Sequence, residues 1–122
     1  MIKRHIKSTN MEMTDAIANY LEKRIVSLEK FVQNVEDAIA RIEVGKTSHH
    51  HHKGDIFRAE INLEYGDHKF RAVAESSDLY KAIDLMRDEI VGEVTRAQKK
   101  GRHLLKKGRQ KIKDMMKVLV RA

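Results

Sequence analysis

The sequence predicts an α+β fold in which two helices pack on one face of a four-stranded sheet. Segments with the hydrophobic period of a strand and segments with that of a helix follow one another in the order β-α-β-β-β-α. Each segment is apolar on one side only, so the sheet has one polar face and each helix has one apolar stripe. Both helices must therefore cover the same face of the sheet, which gives a two-layer sandwich followed by a basic C-terminal extension.

The first strand and the first helix are predicted within residues 1–32. Residues 1–7 alternate, with Ile2 and Ile6 on one side, which is the period of a half-buried strand. Thr14 is a typical N-cap residue, and Asp15 in the first turn suits the helix dipole. An amphipathic helix of about five turns follows, with the apolar stripe Ile17, Leu21, Ile25, Leu28 and Val32.

Three more strands are predicted between residues 35 and 75. Residues 35–44 alternate, and the polar stretch from Gly45 to Gly54 is typical of a surface loop. Residues 57–65 alternate most clearly, and a turn at residues 65–68 leads into the last strand. The outward face of this hairpin mixes both signs of charge, which suits cross-strand ion pairs better than phosphate binding.

The second helix is predicted to begin after the capping residues Ser76, Ser77 and Asp78 and to continue into the basic segment. Gly101 and Gly108 are expected to divide that segment, with a further amphipathic helix from Arg109. We therefore predict a domain at residues 1–100 and a basic amphipathic extension at residues 101–122.

Charge is segregated along the chain. Residues 1–93 contain 14 Lys and Arg against 17 Asp and Glu, whereas residues 94–122 contain 11 against the single acid Asp114. Clustered cations release counterions from a phosphate backbone, so the pattern indicates a polyanion as partner. The alternative is a solvated, partly disordered tail, but apolar residues interleave with the charges. With aromatics at 5% and no Trp, binding would depend on charge and shape rather than on base stacking.

The same sequence argues against several other functions. It has no Cys, which excludes disulfides and thiolate metal sites, and it shows neither a signal peptide nor a membrane span, so we expect a soluble cytoplasmic protein. No activated nucleophile, Gly-rich phosphate cradle or carboxylate pair is evident, so we expect no enzyme, cofactor or small-molecule substrate. The His49–His52 run could bind metal, but nothing nearby would complete a site. In the same loop, Lys46 and Lys53 could reach phosphate.

Three strings of residues resemble a known family. They are residues 28–31, residues 55–63 and, most specifically, residues 74–84, which contain the string Asp-Leu-Tyr-Lys-Ala-Ile-Asp. The chain resembles the ribosome hibernation promoting factors, also called ribosome-associated inhibitors or sigma-54 modulation proteins, over residues 1–100. The resemblance implies a short-form factor that binds the small ribosomal subunit in the channel used by mRNA and tRNA, and that idles ribosomes in stationary phase or stress.

The candidate contacts to 16S-type rRNA lie on both helices. On the second helix the cations begin late, after Glu89 and Glu93, where the family usually has basic residues. The candidates are Arg96, Lys99, Lys100 and Arg102, to which the resemblance adds Lys23, Arg24 and Lys30 on the first helix. The extension could instead lie on a membrane surface or dock a partner protein. We favour an arm that folds against rRNA, with no membrane partner.

Overall fold

A computed structural model describes residues 1–33, 35–47 and 54–121, and it confirms the predicted α+β sandwich. A short 3₁₀ helix at Val35–Asp37 precedes the second strand. The strands are β1 Lys3–Thr9, β2 Ile39–Lys46, β3 Phe57–Tyr65 and β4 His68–Ser76, and the helices are α1 Asp15–Glu29 and α2 Leu79–Arg121.

The four strands form one mixed sheet in the order β1-β2-β3-β4. β1 and β2 are parallel, and the other neighbours are antiparallel. Parallel neighbours need a crossover connection, which α1 supplies between β1 and β2. β3 and β4 are joined by a two-residue turn in which Gly66 takes a φ of 57°, a left-handed conformation that glycine adopts without steric cost.

One hydrophobic core lies between the sheet and the two helices. Among the described residues no charged or polar side chain is fully buried. The predicted stripe of α1 is buried over its whole length, and Ala59, Ile61, Leu63 and Tyr65 are buried on the inner face of β3, where Phe57 is partly buried. The fully buried large side chains are Ile2, Leu21, Leu28, Ile42, Val44, Ile61, Leu63, Ile83, Met86, Ile90 and Val94.

The first strand differs from its prediction. Ile2 is buried, but Ile6 is 39% exposed. The side chain between them, Arg4, is only 10% exposed because its guanidinium pairs with Glu22 at 3.2 Å and Glu29 at 3.1 Å on α1. α1 therefore covers this edge strand partly through ion pairs rather than through apolar contacts alone.

The second strand also begins and ends later than predicted. β2 runs from Ile39 to Lys46, so Gly45 lies inside the strand rather than in the loop. Gly45 is paired with Thr9 of β1 and with Arg58 of β3. The apolar residues of β2 alternate as expected, but the sequence alone does not distinguish a glycine at the end of a strand from a loop residue.

Both predicted helix starts are confirmed by their capping contacts. The Thr14 hydroxyl accepts a 3.2 Å hydrogen bond from the Ile17 amide. The Asp78 carboxylate accepts a 2.9 Å bond from the Tyr80 amide. Each cap satisfies a backbone donor that has no partner within the first turn.

The end of the second helix corrects the sequence analysis. α2 is a single helix of 43 residues, about 63 Å long at 1.5 Å per residue. Gly101 and Gly108 do not divide it: each glycine costs about 1 kcal/mol in a helix, and the Lys, Arg, Leu and Gln around them favour helix. Every residue from Gly101 to Val120 is exposed. The division of the chain into residues 1–100 and 101–122 stays a prediction.

Candidate nucleic-acid interface

The two helices that carry the predicted rRNA contacts are locked together by a polar cluster. The Tyr20 hydroxyl donates a 2.5 Å hydrogen bond to the Asp84 carboxylate, and the Arg24 Nε donates a 2.7 Å bond to the same oxygen. The rings of Tyr20 and Tyr80 meet edge to face, with their centroids 4.9 Å apart. Arg24, a predicted rRNA contact, is thus already engaged in holding α1 against α2.

This cluster predicts a measurable change in acidity. The hydrogen bond to Asp84 raises the pKa of Tyr20 above its ordinary value of 10.0, because the bond exists only while the phenol keeps its proton. We expect Asp84→Asn to lower the pKa of Tyr20 relative to the wild-type protein, as followed by phenolate absorbance. Tyr20→Phe serves as the control, because the titration that it removes belongs to Tyr20. An unchanged Tyr20 titration in Asp84→Asn would contradict this hydrogen bond.

A second contact brings the end of α1 to the start of the basic segment. The Arg87 guanidinium donates to the Ser27 hydroxyl at 2.9 Å and lies 5.6 Å from the centre of the Phe31 ring. The Gln98 side-chain amide donates a 2.7 Å bond to the Phe31 carbonyl. Lys30 precedes Phe31 and Lys99 follows Gln98, so one predicted cation of each helix is the chain neighbour of a residue in this contact.

The role of Arg87 and Gln98 as helix clamps was missing from the sequence analysis. Both lie on one flank of the apolar stripe of α2, at positions that repeat along the helix every three to four residues. That position is the only signal in the sequence, and it does not distinguish a clamp from a solvent-exposed polar residue.

The four predicted cations of α2 spread over the outward half of the helix. Each residue advances the helix by about 100°, so Arg102 lies about 40° from the α1-facing Gln98 and Lys99 about 100° from it. Arg96 and Lys100 lie about 160° from Gln98, on the opposite flank. The helix therefore presents Arg102 on the side of α1, Arg96 and Lys100 on the opposite side, and Lys99 between the two.

These cations differ in how free they are. Arg96 pairs with Glu93 at 2.7 Å, but its side chain is 68% exposed, and an exposed pair of this kind contributes only about 0–1 kcal/mol. Lys99, Lys100 and Arg102 form no ion pair within the described part of the chain. Lys23 and Lys30 are exposed on α1, two helical turns apart. All these groups except Arg24 are available to an anionic partner.

Further cations continue this outward face beyond the residues that the sequence analysis named individually. They lie on the α2 extension, residues 101–121, where every residue up to Val120 is exposed and only Asp114 has the opposite charge. The additional exposed cations are Lys106, Lys107, Arg109, Lys111, Lys113 and Lys117. The sequence shows the excess of positive charge in this segment. The alignment of these cations along the outward face of α2 depends on an uninterrupted helix.

The outward face of the β3–β4 hairpin carries ion pairs, as predicted. On the outward face of the sheet, Glu60 accepts hydrogen bonds from both Arg58 and Arg71. Arg41 pairs with Glu64 at 3.5 Å. These pairs leave Arg41, Arg58 and Arg71 engaged with carboxylates, so the candidate interface is sought on the helical side.

The loop candidates are only partly described. Lys46 pairs with Asp55 at 3.3 Å and lies 5.9 Å from the centre of the Phe57 ring. Lys53 and the His49–His52 run lie outside the described residues. Elsewhere in the described ranges no cluster of His, Asp and Glu has the arrangement of a metal site.

A small concavity marks the point where α2 leaves the sheet. It has a volume of about 190 Å³ and lies between the end of the β3–β4 hairpin and the α2 extension. Its lining includes Tyr65 and His68 on the hairpin side and Gly101, Arg102 and Leu105 on the helix.

No helix in the described ranges combines the length and the apolar character needed to cross a membrane.

Comparison with known proteins covers most of this chain. Residues 5–102 match the family model described as sigma 54 modulation protein / S30EA ribosomal protein. A ribosome hibernation promotion factor from Staphylococcus aureus (strain COL) is 32% identical over 106 residues, which cover 84% of this chain and 53% of that protein. The chain thus spans about half the length of this relative.

Solved structures agree with the fold. The N-terminal domain of Protein Y from Thermus thermophilus matches with a TM-score of 0.64 at 28% identity, covering 78% of this chain and 96% of that domain. A ribosomal subunit interface protein from Coxiella burnetii matches with a TM-score of 0.64 over 80% of this chain and 98% of that one. Its identity is 15%, so this second likeness shows the fold alone.

Proposed function

The chain belongs to the sigma 54 modulation protein / S30EA ribosomal protein family, and from this premise we propose that it is a non-enzymatic ribosome-associated factor. It binds rRNA of the small subunit in the channel used by mRNA and tRNA, and it inhibits translation. The observation that carries the proposal is the outward face of α2, where Lys99, Lys100 and Arg102 are exposed and without an ion pair in the described ranges.

The residues of this face are suited to phosphate rather than to base recognition. Lys and Arg bind phosphate oxygens through charge-assisted hydrogen bonds, and contacts of this kind position a protein on RNA without reading its sequence. The helical side has only Tyr20, Tyr80 and Phe31 as aromatic residues, and all three take part in contacts between or beside the helices. Stacking of several bases is therefore a minor contribution.

The side-chain contacts between α1 and α2 fix the relative position of the two helices that form the candidate interface. Asp84, Arg87 and Gln98 hold the two helices in one register, so Lys23 and Lys30 keep a fixed spacing from the cations of α2. A preorganised set of charges loses less conformational entropy on binding than a flexible arm does. This favours recognition of the folded shape of an RNA, such as an rRNA surface, over binding to any free strand.

The test of this function is fractionation of stationary-phase cells on sucrose gradients at low salt. We expect the protein to sediment with small subunits or whole ribosomes, and to leave them as salt rises, because multi-phosphate binding loses about 10³–10⁵ in affinity between 50 and 200 mM salt. The purified protein should also inhibit an in vitro translation reaction. Protein found only in the top fractions, together with undiminished translation, would overturn the proposal.

A second candidate function is supported by the apolar residues on the extension. Ile112, Met115 and Leu119 are exposed, which is a feature of helices that dock on a partner protein or lie on a membrane surface. An adaptor of this kind would bind through residues 109–122 alone and would lose little affinity as the salt concentration rises.

Equal affinity for ribosomes and for unrelated duplex RNA would instead indicate that the protein binds RNA without ribosome specificity.

A further inference from the structure

The concavity where α2 leaves the sheet has aromatic rings on one side and an open helix surface on the other. Tyr65 and His68 line the hairpin side, and their ring centroids lie 5.4 Å apart. The Phe70 ring lies 5.8 Å from the first ring and 5.9 Å from the second. On the helix side the lining includes Ala97 and Gly101, and a Cβ added at Gly101 would have no atom within 4 Å. The shape therefore suits a flat group.

The size of the concavity corresponds to one aromatic ring system. Its volume is about 190 Å³, whereas a protein cavity of about 150 Å³ holds one benzene molecule. One nucleobase, which is somewhat larger than benzene, therefore fits, and two stacked bases do not. Most ligand sites share this composition of apolar walls with a few polar groups.

Three polar groups that line the concavity have no hydrogen-bond partner among the residues that the structure describes. They are the Gln33 amide, the side-chain oxygen of Gln98 and the hydroxyl of Tyr65, whose side chain is 5% exposed. A Tyr hydroxyl on a buried side chain usually has a partner. A wholly apolar occupant would leave these donors and acceptors unsatisfied, whereas the edge of a nucleobase offers partners to both.

A row of cations leads from the concavity along the α2 extension. Arg102 lines the concavity, and Arg102, Lys106 and Arg109 all lie within about 80° of Gln98 around the helix. The row extends about 10 Å along the helix axis. None of the three cations has an ion pair within the described ranges. The row is therefore suited to phosphates on either side of a nucleotide whose base enters the concavity.

We propose that the concavity binds the base of one unpaired RNA nucleotide, whose neighbouring phosphates contact Arg102, Lys106 and Arg109. The inference rests on the RNA-binding function proposed above and adds a site that selects unpaired over paired nucleotides. Proteins recognise unpaired bases by stacking them on aromatic side chains, which include Tyr and His, and by hydrogen bonds to the base edges. A base inside a duplex cannot enter, because its faces and its pairing edge are already occupied.

Gly101 and Gly108 provide a matched pair of variants for this site. Both are exposed in α2, within about 20° of each other around the helix, and a Cβ added at either has no atom within 4 Å. Leu is favoured over Gly in a helix to the same extent at both positions. Gly101 lines the concavity and Gly108 does not. Gly101→Leu therefore fills the concavity and keeps every cation, whereas Gly108→Leu makes the same change outside it.

The test compares RNA hairpins that differ at one bulged position, which carries A, C, G, U or an abasic nucleotide. Affinity is measured by fluorescence anisotropy of a dye at the RNA end, with the full chain near 100 mM salt. We expect wild type to bind at least one of the four base-containing RNAs at least about fivefold more tightly than the abasic RNA, which is the smallest effect that stacking of one base contributes. Gly101→Leu should reduce this preference to less than about twofold, and Gly108→Leu should retain it.

Several results would overturn this site and leave the ribosomal function standing. Equal affinity of wild type for the abasic RNA and for all four others would do so, and so would a preference that persists in Gly101→Leu or is lost equally in Gly108→Leu. Uptake of indole, followed by the Gly101 amide resonance in a protein without base preference, would assign the concavity to an apolar side chain of a partner protein. Conversely, a confirmed base preference in a protein that never sediments with ribosomes would overturn the ribosomal function alone.

Discussion

Changing Lys99, Lys100 and Arg102 together to Glu is expected to weaken binding to the small ribosomal subunit at least about 100-fold near 100 mM salt. The physical reason is that these three side chains lie on an ordered helix and are free of ion pairs in the described ranges, so each can be committed to a phosphate. The slope of log affinity against log salt should also fall by about three, close to one for each lost phosphate contact. The measurement is ribosome binding over a range of salt concentrations.

The matched control reverses three cations on the sheet side of the molecule. Lys3, Lys7 and Lys69 are exposed on the sheet side, and changing them to Glu alters net charge by the same amount. We expect this variant to bind within about threefold of wild type near 100 mM salt, because charges farther away than a Debye length are screened. Equal losses in the two variants would mean that net charge, not the face of α2, determines binding.

Deletion of residues 109–122 provides the comparison with the distal part of the extension. We expect it to weaken ribosome binding less than the triple reversal, because the deleted residues lie beyond residues 5–102, the part that the family model matches. Arg96 is left unchanged in the reversal, since Glu there would repel Glu93. Circular dichroism establishes that each variant is folded. A larger loss from the deletion would make the distal extension the principal anchor.

Changing Gly45 to Ala is expected to lower the free energy of unfolding by at least about 3 kcal/mol. A Cβ at this position would lie 2.1 Å from the backbone oxygen of Thr9 on the neighbouring strand. The obstacle is backbone rather than a flexible side chain, so relief requires β1 and β2 to separate locally. The measurement is chemical denaturation followed by circular dichroism.

Two other glycines test whether this effect is specific to the strand contact. Gly101 has no atom within 4 Å of an added Cβ and lies in a helix, so Gly101→Ala should stabilise the protein by up to about 1 kcal/mol. Gly66 also has open space but a φ of 57°, so Gly66→Ala should destabilise it by about 1 kcal/mol. A Gly45→Ala variant no less stable than Gly66→Ala would contradict the close approach of Thr9.

Local periodicity was sufficient to predict the elements of this fold. Alternation at residues 57–65 and the three-to-four spacing from Ile17 to Leu28 produce one-sided strands and helices in any folded context. The capping roles of Thr14 and Asp78 were predictable for the same reason, because a cap acts on amides two or three residues away. The family predicted from residues 74–84 is confirmed, since the family model matches residues 5–102.

Boundaries and partners between distant residues were less predictable. Nothing near Gly45 in the sequence shows that the backbone of Thr9 will approach it, so the glycine resembled a loop residue. Arg24 resembled a free cation beside Lys23, but Asp84, sixty residues later, accepts its hydrogen bond. Contacts of this kind depend on how α1 and α2 cross, which no local pattern contains.

The sequence by itself determined the α+β class, the order of its elements and the concentration of positive charge after residue 93, because periodicity and composition are properties of neighbouring residues. Only the tertiary structure decided which of those charges are free of ion pairs. It also decided that two earlier cations, Arg24 and Arg87, hold the two helices together. It also decided that Gly101 and Gly108 remain helical, which aligns the cations on one side of α2 and leaves an apolar stripe on the other. Both results require a single continuous helix, since the face to which a side chain points depends on the helical phase of every residue between it and the core.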